Sequence, residues 1–173
     1  VNAHNAPNTM LEIGRLREFA FRESGGGTGK SVDIDEFDTR DEAYFEQLIV
    51  WDPKEKEILG GYRFIDCSKL NIKDNGQTDT PTSELFYYSE DFIKDYLPYT
   101  IELGRSFICP KYQSGASSTK SMYALDNLWD GIGALIVKFN AKYLFGKASI
   151  YSHFGDDAFA IIRHFLNLYF ADS

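Results

Sequence analysis

Apolar residues follow a helical spacing in some segments of this chain and a strand-like spacing in others. The helical spacing predicts three long helices, over residues 10–23, 122–139 and 156–169. Ser89, a candidate cap, and Pro98, a candidate stop, indicate a shorter helix between them. Apolar runs of strand length predict strands over residues 44–51, 58–66, 100–109 and 148–152. This order of elements predicts an α/β fold in which helices flank a mixed sheet.

The segments between these elements indicate how they are connected. Residues 52–56 have turn chemistry, which predicts a hairpin between the first two strands. Residues 68–83 are polar and predict a long loop. Thr9 and Glu12 have the spacing of a capping box and predict the start of the first helix.

Composition then restricts the class of protein. Hydrophobic residues make up 43% and charged residues 25% of the 173 positions, which is typical of a globular protein. A chain of this length can bury one core, so we expect residues 1–173 to form a single domain. The chain begins at Val1 rather than at methionine, so it is a candidate fragment of a longer protein. Aromatic residues reach 16%, which fits either a packed core or the wall of an apolar pocket.

Charge and hydropathy exclude several functions. The net charge of −8 disfavours nucleic-acid binding, which needs clustered Lys and Arg. No apolar run reaches the roughly 18 residues that a membrane span requires, and no signal-peptide pattern occurs at the N-terminus. We therefore expect a cytoplasmic protein whose membrane contact, if any, is peripheral and at the inner membrane. Cys67 and Cys109 are too few for a disulfide framework and are expected to be buried small hydrophobes.

Three familiar kinds of site are not supported by the sequence. The segment SGGGTGKS at residues 24–31 is similar to a phosphate-binding loop, but a helix precedes it and acidic residues follow, so we interpret it as a flexible loop. The histidines, His4, His153 and His164, are scattered, so no metal site is predicted. No Gly-x-Ser-x-Gly motif occurs, and neither cysteine has an evident base beside it, so covalent catalysis is unsupported.

Charged residues inside apolar segments are the strongest candidates for a site, because a buried charge is costly unless it is paired or used. They are Arg17, Asp38, Asp41, Arg63, Glu102 and Arg105. Each one alone is explained equally well by a structural ion pair. Together they predict a shared cleft.

The order of motifs around these residues resembles a known family. The motifs are Leu16-Arg17-x-x-x-Phe21, Glu36-Phe37-Asp38-x-x-Asp41, Gly61-x-Arg63, Glu102-Leu-Gly-Arg-Ser106 and Leu128-Trp-x-Gly-Ile132. Over about residues 10–150 they are similar to acyl-homoserine-lactone (autoinducer) synthases. They resemble more closely the ornithine-lipid-type N-acyltransferases, a group often labelled hemolysin-like.

The resemblance implies a GNAT-like acyl-CoA N-acyltransferase fold with a central, mixed, mostly antiparallel sheet flanked by helices. It implies an acyl carrier protein thioester as donor and an amino acid, such as ornithine or glycine, as acceptor in lipid synthesis. It implies no bound cofactor, since the acyl-phosphopantetheine is a substrate. The residues that it assigns to substrate binding are Arg17, Phe21, Asp38, Asp41, Arg63 and Ser106.

The donor phosphate is expected at the start of the helix over residues 122–139. A small polar loop precedes this helix and contains Gln113, Ser114, Gly115, Ser117 and Ser118. Backbone N–H groups at a helix N-terminus bind phosphate, such as that of a phosphopantetheine arm. The loop lacks the Gly-x-Gly/Ala pattern of common acetyltransferases, so coenzyme A is the less favoured donor.

Amide formation needs a neutral amine and a polarised carbonyl, and we assign these tasks to Glu102, Arg105 and the backbone near Gly104. Glu102 is the candidate base, and burial would raise its pKa. Arg63 and Arg105 would hold either an acceptor carboxylate or the aspartates. A spacing of three puts Glu102 and Arg105 on opposite faces of a regular strand, so a shared pocket requires a bulge at residues 103–105.

Two alternatives remain open from the sequence. The chain could make a diffusible acyl-amino-acid signal, or it could be a non-catalytic module that binds acyl groups or a carrier protein. An acidic carrier protein needs a basic patch, and the loose cluster available is Arg15, Arg22, Lys30 and Arg40.

Overall fold

Four strands form one sheet in a computed structural model that describes residues 1–113, 118–151 and 154–171. In sheet order they are β1 (Glu46–Asp52), β2 (Glu57–Asp66), β3 (Thr100–Ile108) and β4 (Tyr143–Gly146). β1 pairs antiparallel with β2, and β2 pairs antiparallel with β3. β3 pairs in parallel with β4. The predicted mixed, mostly antiparallel sheet and the predicted hairpin are confirmed.

The helices are α1 (Pro7–Glu23), α2 (Glu36–Thr39), α3 (Ser118–Phe139) and α4 (Asp156–Tyr169). The three long helices predicted from apolar spacing are confirmed, although α1 and α3 begin three and four residues earlier than predicted. The capping box at Thr9 is wrong, because α1 begins at Pro7 and no side chain caps it. Proline suits a first helical position, since its fixed φ is helical and it lacks an N–H that would stay unpaired.

Two predicted elements differ in the structure. Residues 148–151, part of the strand predicted at 148–152, are not a strand, and Ser152 lies outside the described residues. The strand found instead is β4, whose register is set by parallel pairing with residues 100–103. Ser89 does cap the next helical segment, since its Oγ accepts a hydrogen bond from the Phe92 amide at 3.2 Å. That segment is a π-helix, Phe92–Tyr96, followed by a 3-10 turn, Leu97–Tyr99, that contains Pro98.

Side chains on the two faces of the sheet pack against different helices. On one face α3 contributes Leu135 to a cluster with Phe64 and Ile101. On the opposite face α1 packs its apolar residues on Leu59 and Phe107. This second face is where the charged residues of the sequence motifs meet.

The last helix, α4, has no buried residue although its apolar positions recur at helical spacing. Ile161, Leu168 and Tyr169 are each more than half exposed. Within residues 1–113, 118–151 and 154–171, no helix has both the length and the apolar character needed to span a membrane.

Candidate active site

A buried network of ion pairs lies on the α1 face of the sheet. Arg17, from α1, is 0% exposed and its Nη2 lies 3.0 Å from Asp38 Oδ2, while its Nε lies 3.2 Å from Asp33 Oδ2. Arg63, from β2, binds both oxygens of Asp35 at 2.7 and 2.6 Å and lies 3.3 Å from Asp38. The predicted convergence of Arg17, Asp38 and Arg63 is therefore found.

Arg105 completes the network from β3. Its Nε lies 3.2 Å from Asp33 Oδ2 and its Nη2 lies 3.6 Å from Asp35 Oδ2. The network thus balances three guanidinium groups against three carboxylates. Sequence reasoning missed Asp33 and Asp35; the signal was their place in the acidic segment directly before the motif that contains Asp38.

The structure separates the residues assigned to substrate binding into two groups. Arg63, Phe21 and Ser106 line a cavity of about 730 Å³ on this face. Arg17 and Asp38 are completely buried and satisfy each other outside the cavity wall, so they support the site rather than contact a substrate. Asp41 is exposed and takes no part in the network, because α2 ends at Thr39 and the chain then turns outward.

A bulge in β3 brings the two predicted catalytic residues to one face. Gly61 pairs with Phe107 and Arg63 pairs with Gly104, so Arg105 and Ser106 both lie opposite Tyr62. The extra residue shifts the side-chain alternation by one position. Glu102 and Arg105 consequently line the same cavity.

The predicted bulge is confirmed, but its extra residue lies at Arg105–Ser106 rather than within residues 103–105, and the residue that adopts the unusual backbone is not the expected glycine. Arg105 itself has φ of +50°, whereas Gly104 is not among the positive-φ residues. A left-handed conformation costs a non-glycine residue about 1 to 3 kcal/mol and occurs preferentially at functional sites. The ion pairs with Asp33 and Asp35 hold Arg105 in this conformation.

Glu102 is a buried carboxylate with one unused oxygen. It is 3% exposed, and its Oε1 accepts a hydrogen bond from Thr82 Oγ1 at 2.6 Å. Its Oε2 has no hydrogen-bond partner in the part of the chain that the structure describes. Burial raises the pKa of Glu102, while the hydrogen bond from Thr82 and the nearby Thr80 hydroxyl oppose the rise. A carboxylate whose pKa is raised accepts a proton more readily than an ordinary glutamate does.

The loop that supplies Thr82 was missed as part of the site. Thr78, Thr80 and Thr82 are all buried although they lie in the polar segment predicted as a long loop. Tyr88, shortly after this segment, has its pKa raised to about 12 by burial and by the charge of Glu102. The three threonines occupy every second position, but they are polar and give no apolar spacing, so no sequence signal indicated the contact of this segment with Glu102.

β3 and β4 separate beside the cavity. Their parallel pairing ends at Leu103 and Gly146, and a second space of about 300 Å³ opens where β3 continues without a partner on that side. A Cβ atom at Gly104 would meet no atom within 4 Å. The backbone of β3 is therefore accessible next to Glu102.

A family comparison agrees with this architecture. Residues 16–122, more than half of the chain, match the model of the acetyltransferase (GNAT) domain. The chain belongs to the GNAT acetyltransferase family. Its fold, a mixed sheet flanked by helices, is the GNAT fold predicted from the motifs.

Two curated relatives match this GNAT chain along nearly all of its length. The glycine N(alpha)-acyltransferase of Phocaeicola vulgatus is 49% identical over 173 residues, which cover 99% of this chain and 53% of the relative. The glycine N(alpha)-acyltransferase of Bacteroides thetaiotaomicron is 51% identical over 173 residues, which cover 99% of this chain and 51% of the relative. The chain thus spans about half the length of the curated relatives it matches.

The predicted donor loop of this GNAT domain is described only at its two ends. Gln113 lines a small cavity of about 350 Å³ together with Ser106, and its Nε2 donates to the Ile108 carbonyl at 2.6 Å. Ser114, Gly115 and Ser117 lie outside the described residues, as does His153. Ser118 is the first residue of α3. The phosphate site at this helix N-terminus stays a prediction.

The glycine-rich segment is anchored by one buried carboxylate. Glu18, on α1, accepts hydrogen bonds from the Thr28 amide at 2.8 Å, the Thr28 hydroxyl at 2.6 Å and the Gly29 amide at 2.9 Å. A Cβ atom at Gly26 would lie 2.4 Å from the Tyr151 ring, so the segment packs closely on a residue of the cavity wall. The segment is thus held over the site in a defined position.

Replacing Glu18 by alanine is expected to release this segment without unfolding the domain. The hydrogen bond from Thr28, with those from Arg22 and the loop amides, lowers the pKa of Glu18 to about 2, so the carboxylate stays ionised at neutral and mildly acidic pH. A carboxyl group whose pKa is lowered by folding stabilises the folded protein fully at pH values above its ordinary pKa. This stabilisation is lost only as pH falls from about 4.5 towards about 2. Hydrogen exchange at pH 7 should show faster exchange of the Thr28 and Gly29 amides. Glu12→Ala, on the exposed side of α1, is the control; equal exchange in both variants would contradict the anchor.

The basic residues proposed for carrier-protein docking are largely neutralised. Arg15 pairs with Glu12, Arg22 with Glu18, and Arg40 with Asp79. These pairs reduce the positive potential that an acidic partner would meet. The loose cluster read from the sequence is therefore a weaker docking patch than its residue types indicated.

Proposed function

We propose that this GNAT domain transfers an acyl group from a thioester to the amine of an amino acid. The observation that carries the proposal is Glu102, a buried carboxylate with a raised pKa and one unpartnered oxygen in a cavity beside the gap between β3 and β4. A thioester that lies in this gap would present its carbonyl carbon to an amine held in the cavity.

The reaction follows from these positions. The lone pair of the neutral amine attacks the thioester carbonyl carbon, a C–N bond forms, and the C–S bond breaks to release a thiolate. Glu102 accepts the proton that the nitrogen loses and returns it to the thiolate directly or through solvent. The raised pKa favours the first of these steps, because a carboxylate of higher pKa accepts a proton more readily than an ordinary one.

The carbonyl oxygen gains negative charge during attack and needs hydrogen-bond donors. The backbone of β3 after Leu103 has no strand partner on the β4 side, so its N–H groups are candidates. Arg105 adds positive charge to the cavity wall, although its guanidinium group is shared with Asp33 and Asp35.

We propose glycine as the acceptor and an acyl-phosphopantetheine thioester as the donor. The names of both relatives support glycine. An acyl carrier protein is the proposed source of the thioester, by resemblance to the ornithine-lipid-type group, which itself stays a proposal. We also propose a role in lipid synthesis, a cytoplasmic location and peripheral contact with the inner membrane.

One assay tests donor, acceptor and activity together. The protein is incubated with a long-chain acyl carrier protein thioester or the matching acyl-CoA, each with glycine, ornithine or serine, and products are identified by mass spectrometry. N-acylglycine formed faster from the carrier-protein thioester is the expected result. Faster product formation from acyl-CoA would overturn the donor assignment, and a different acylated amine would overturn the acceptor. Binding of acyl carrier protein without any transfer would favour the non-catalytic module.

A further inference from the structure

Three cationic side chains line the large cavity, and two of them are already neutralised. Arg63 contacts both oxygens of Asp35 and one oxygen of Asp38. Arg105 lies within 3.6 Å of Asp35 and 3.2 Å of Asp33. Asp33, Asp35 and Asp38 compensate their charges, so neither arginine is well placed to attract a further anion.

Lys147 is the third cation, and no carboxylate of the described residues forms a direct ion pair with it. Its Nζ donates a hydrogen bond to the Pro81 carbonyl at 2.5 Å, and it forms no ion pair with any residue of the described ranges. An ammonium group has three donors, so one bond to a neutral carbonyl leaves two for a ligand. Partial burial lowers the pKa of Lys147, while the nearby charge of Glu102 opposes the shift.

The register of the sheet places Lys147 across the gap from Glu102. Glu102 pairs with Phe145, and Leu103 pairs with Gly146, the last residue of β4. Lys147 follows directly, at the point where the strands separate, and lines both the large cavity and the space between the strands. Adjacent strands are about 4.8 Å apart, so a small ligand can contact a residue of each strand at once.

We infer that Lys147 binds the carboxylate of the amino-acid acceptor while Glu102 receives the proton from its amine. This inference rests on the proposed function and names the acceptor subsite within it. In an α-amino acid a single carbon separates the amine from the carboxylate, so a base and a cation must lie close together in one cavity. Lys147 and Glu102 meet this requirement, whereas the paired arginines do not.

The test compares acceptors with and without a carboxylate in the wild-type protein and in Lys147→Met. Methionine keeps most of the side-chain length and removes the charge. A hydrogen bond to a charged group contributes about 1.5 to 3 kcal/mol, so KM for glycine should rise roughly 10- to 100-fold in the variant. KM for the acyl donor should stay constant. Glycinamide, which lacks the carboxylate, should be a poor acceptor for the wild type and should be affected little by the substitution.

Two further variants separate binding from a structural effect. Lys147→Arg keeps the positive charge and should recover most of the affinity for glycine. Lys142→Met removes a lysine outside the cavity, whose Nζ lies 4.2 Å from the Tyr99 ring centroid, and should leave KM for glycine unchanged. An unchanged KM for glycine in Lys147→Met, or a rise in KM for the donor instead, would overturn the inference. If the wild type acylates no amine at all, the proposed function itself fails.

Discussion

Glu102→Gln is expected to lower the rate constant for acyl transfer roughly 10²- to 10⁴-fold, the usual contribution of a positioned general base. Glutamine has nearly the same shape and can still accept the hydrogen bond that Thr82 donates to Oε1. The fold should therefore persist, because the substitution removes proton acceptance from the unpartnered oxygen and little else. Single-turnover kinetics at pH 7.5, together with an unchanged circular dichroism spectrum, would measure this effect.

Glu84→Gln is the matched control, since Glu84 is an exposed carboxylate in the wall of the same cavity. Its activity should stay within about twofold of wild type, because an exposed charge contributes little in high dielectric. Equal losses in the two variants would show that general cavity charge, rather than proton transfer at Glu102, determines the rate.

The pH dependence of the wild type gives a second readout of Glu102. Burial raises its pKa, and catalysis needs the deprotonated form, so kcat/KM expressed per concentration of neutral glycine should fall as pH decreases through that raised pKa. The acid limb should therefore lie at higher pH than an ordinary glutamate would produce. Glu102→Gln should lack this limb, and a limb that persists in the variant would assign it to another group.

Arg17→Leu is expected to destabilise the protein by about 3 to 5 kcal/mol, which is typical of removing one partner from a buried ion pair. Arg17 is 0% exposed and contacts Asp33 and Asp38, and its Nη1 lies 3.4 Å from Gln47 Oε1. Leucine would leave the Asp38 carboxylate buried with Arg63 as its remaining cation. Urea denaturation followed by tryptophan fluorescence would give the free energy of unfolding.

Arg15→Leu, on the same helix, provides the comparison. Arg15 is exposed and pairs with Glu12 across one turn of α1, so its loss should change stability by less than about 1 kcal/mol. If Arg17→Leu also lowers the free energy of unfolding by less than about 1 kcal/mol, the network tolerates the loss of a buried cation, and the expected cost of an unpaired buried aspartate is contradicted.

Much of the fold could be predicted because periodic apolar residues determine helices and strands locally. α1, α3 and α4 were each predicted from helical spacing, and the β1–β2 hairpin from turn residues between two apolar runs. The last strand was predicted at residues 148–152, whereas β4 lies at Tyr143–Gly146. Pairing with β3, rather than local apolar spacing, determines where so short a strand forms. The polar loop that contacts Glu102 was unpredictable for a related reason, since its burial depends on contacts with residues distant in the chain.

The sequence by itself determined the α/β class, the family motifs and the list of charged residues that must be paired or used, because these depend on residue type and spacing. Only the tertiary structure decided which of these charged residues pair in the interior, which lie in solvent and which line the cavity. It placed Arg17 and Asp38 in a closed network, left Asp41 in solvent, and brought Glu102 and Arg105 to one cavity through the bulge in β3. The physical reason is that neutralising a buried charge requires a partner within a few ångströms. Such distances are set by strand register and helix packing, which local spacing does not specify.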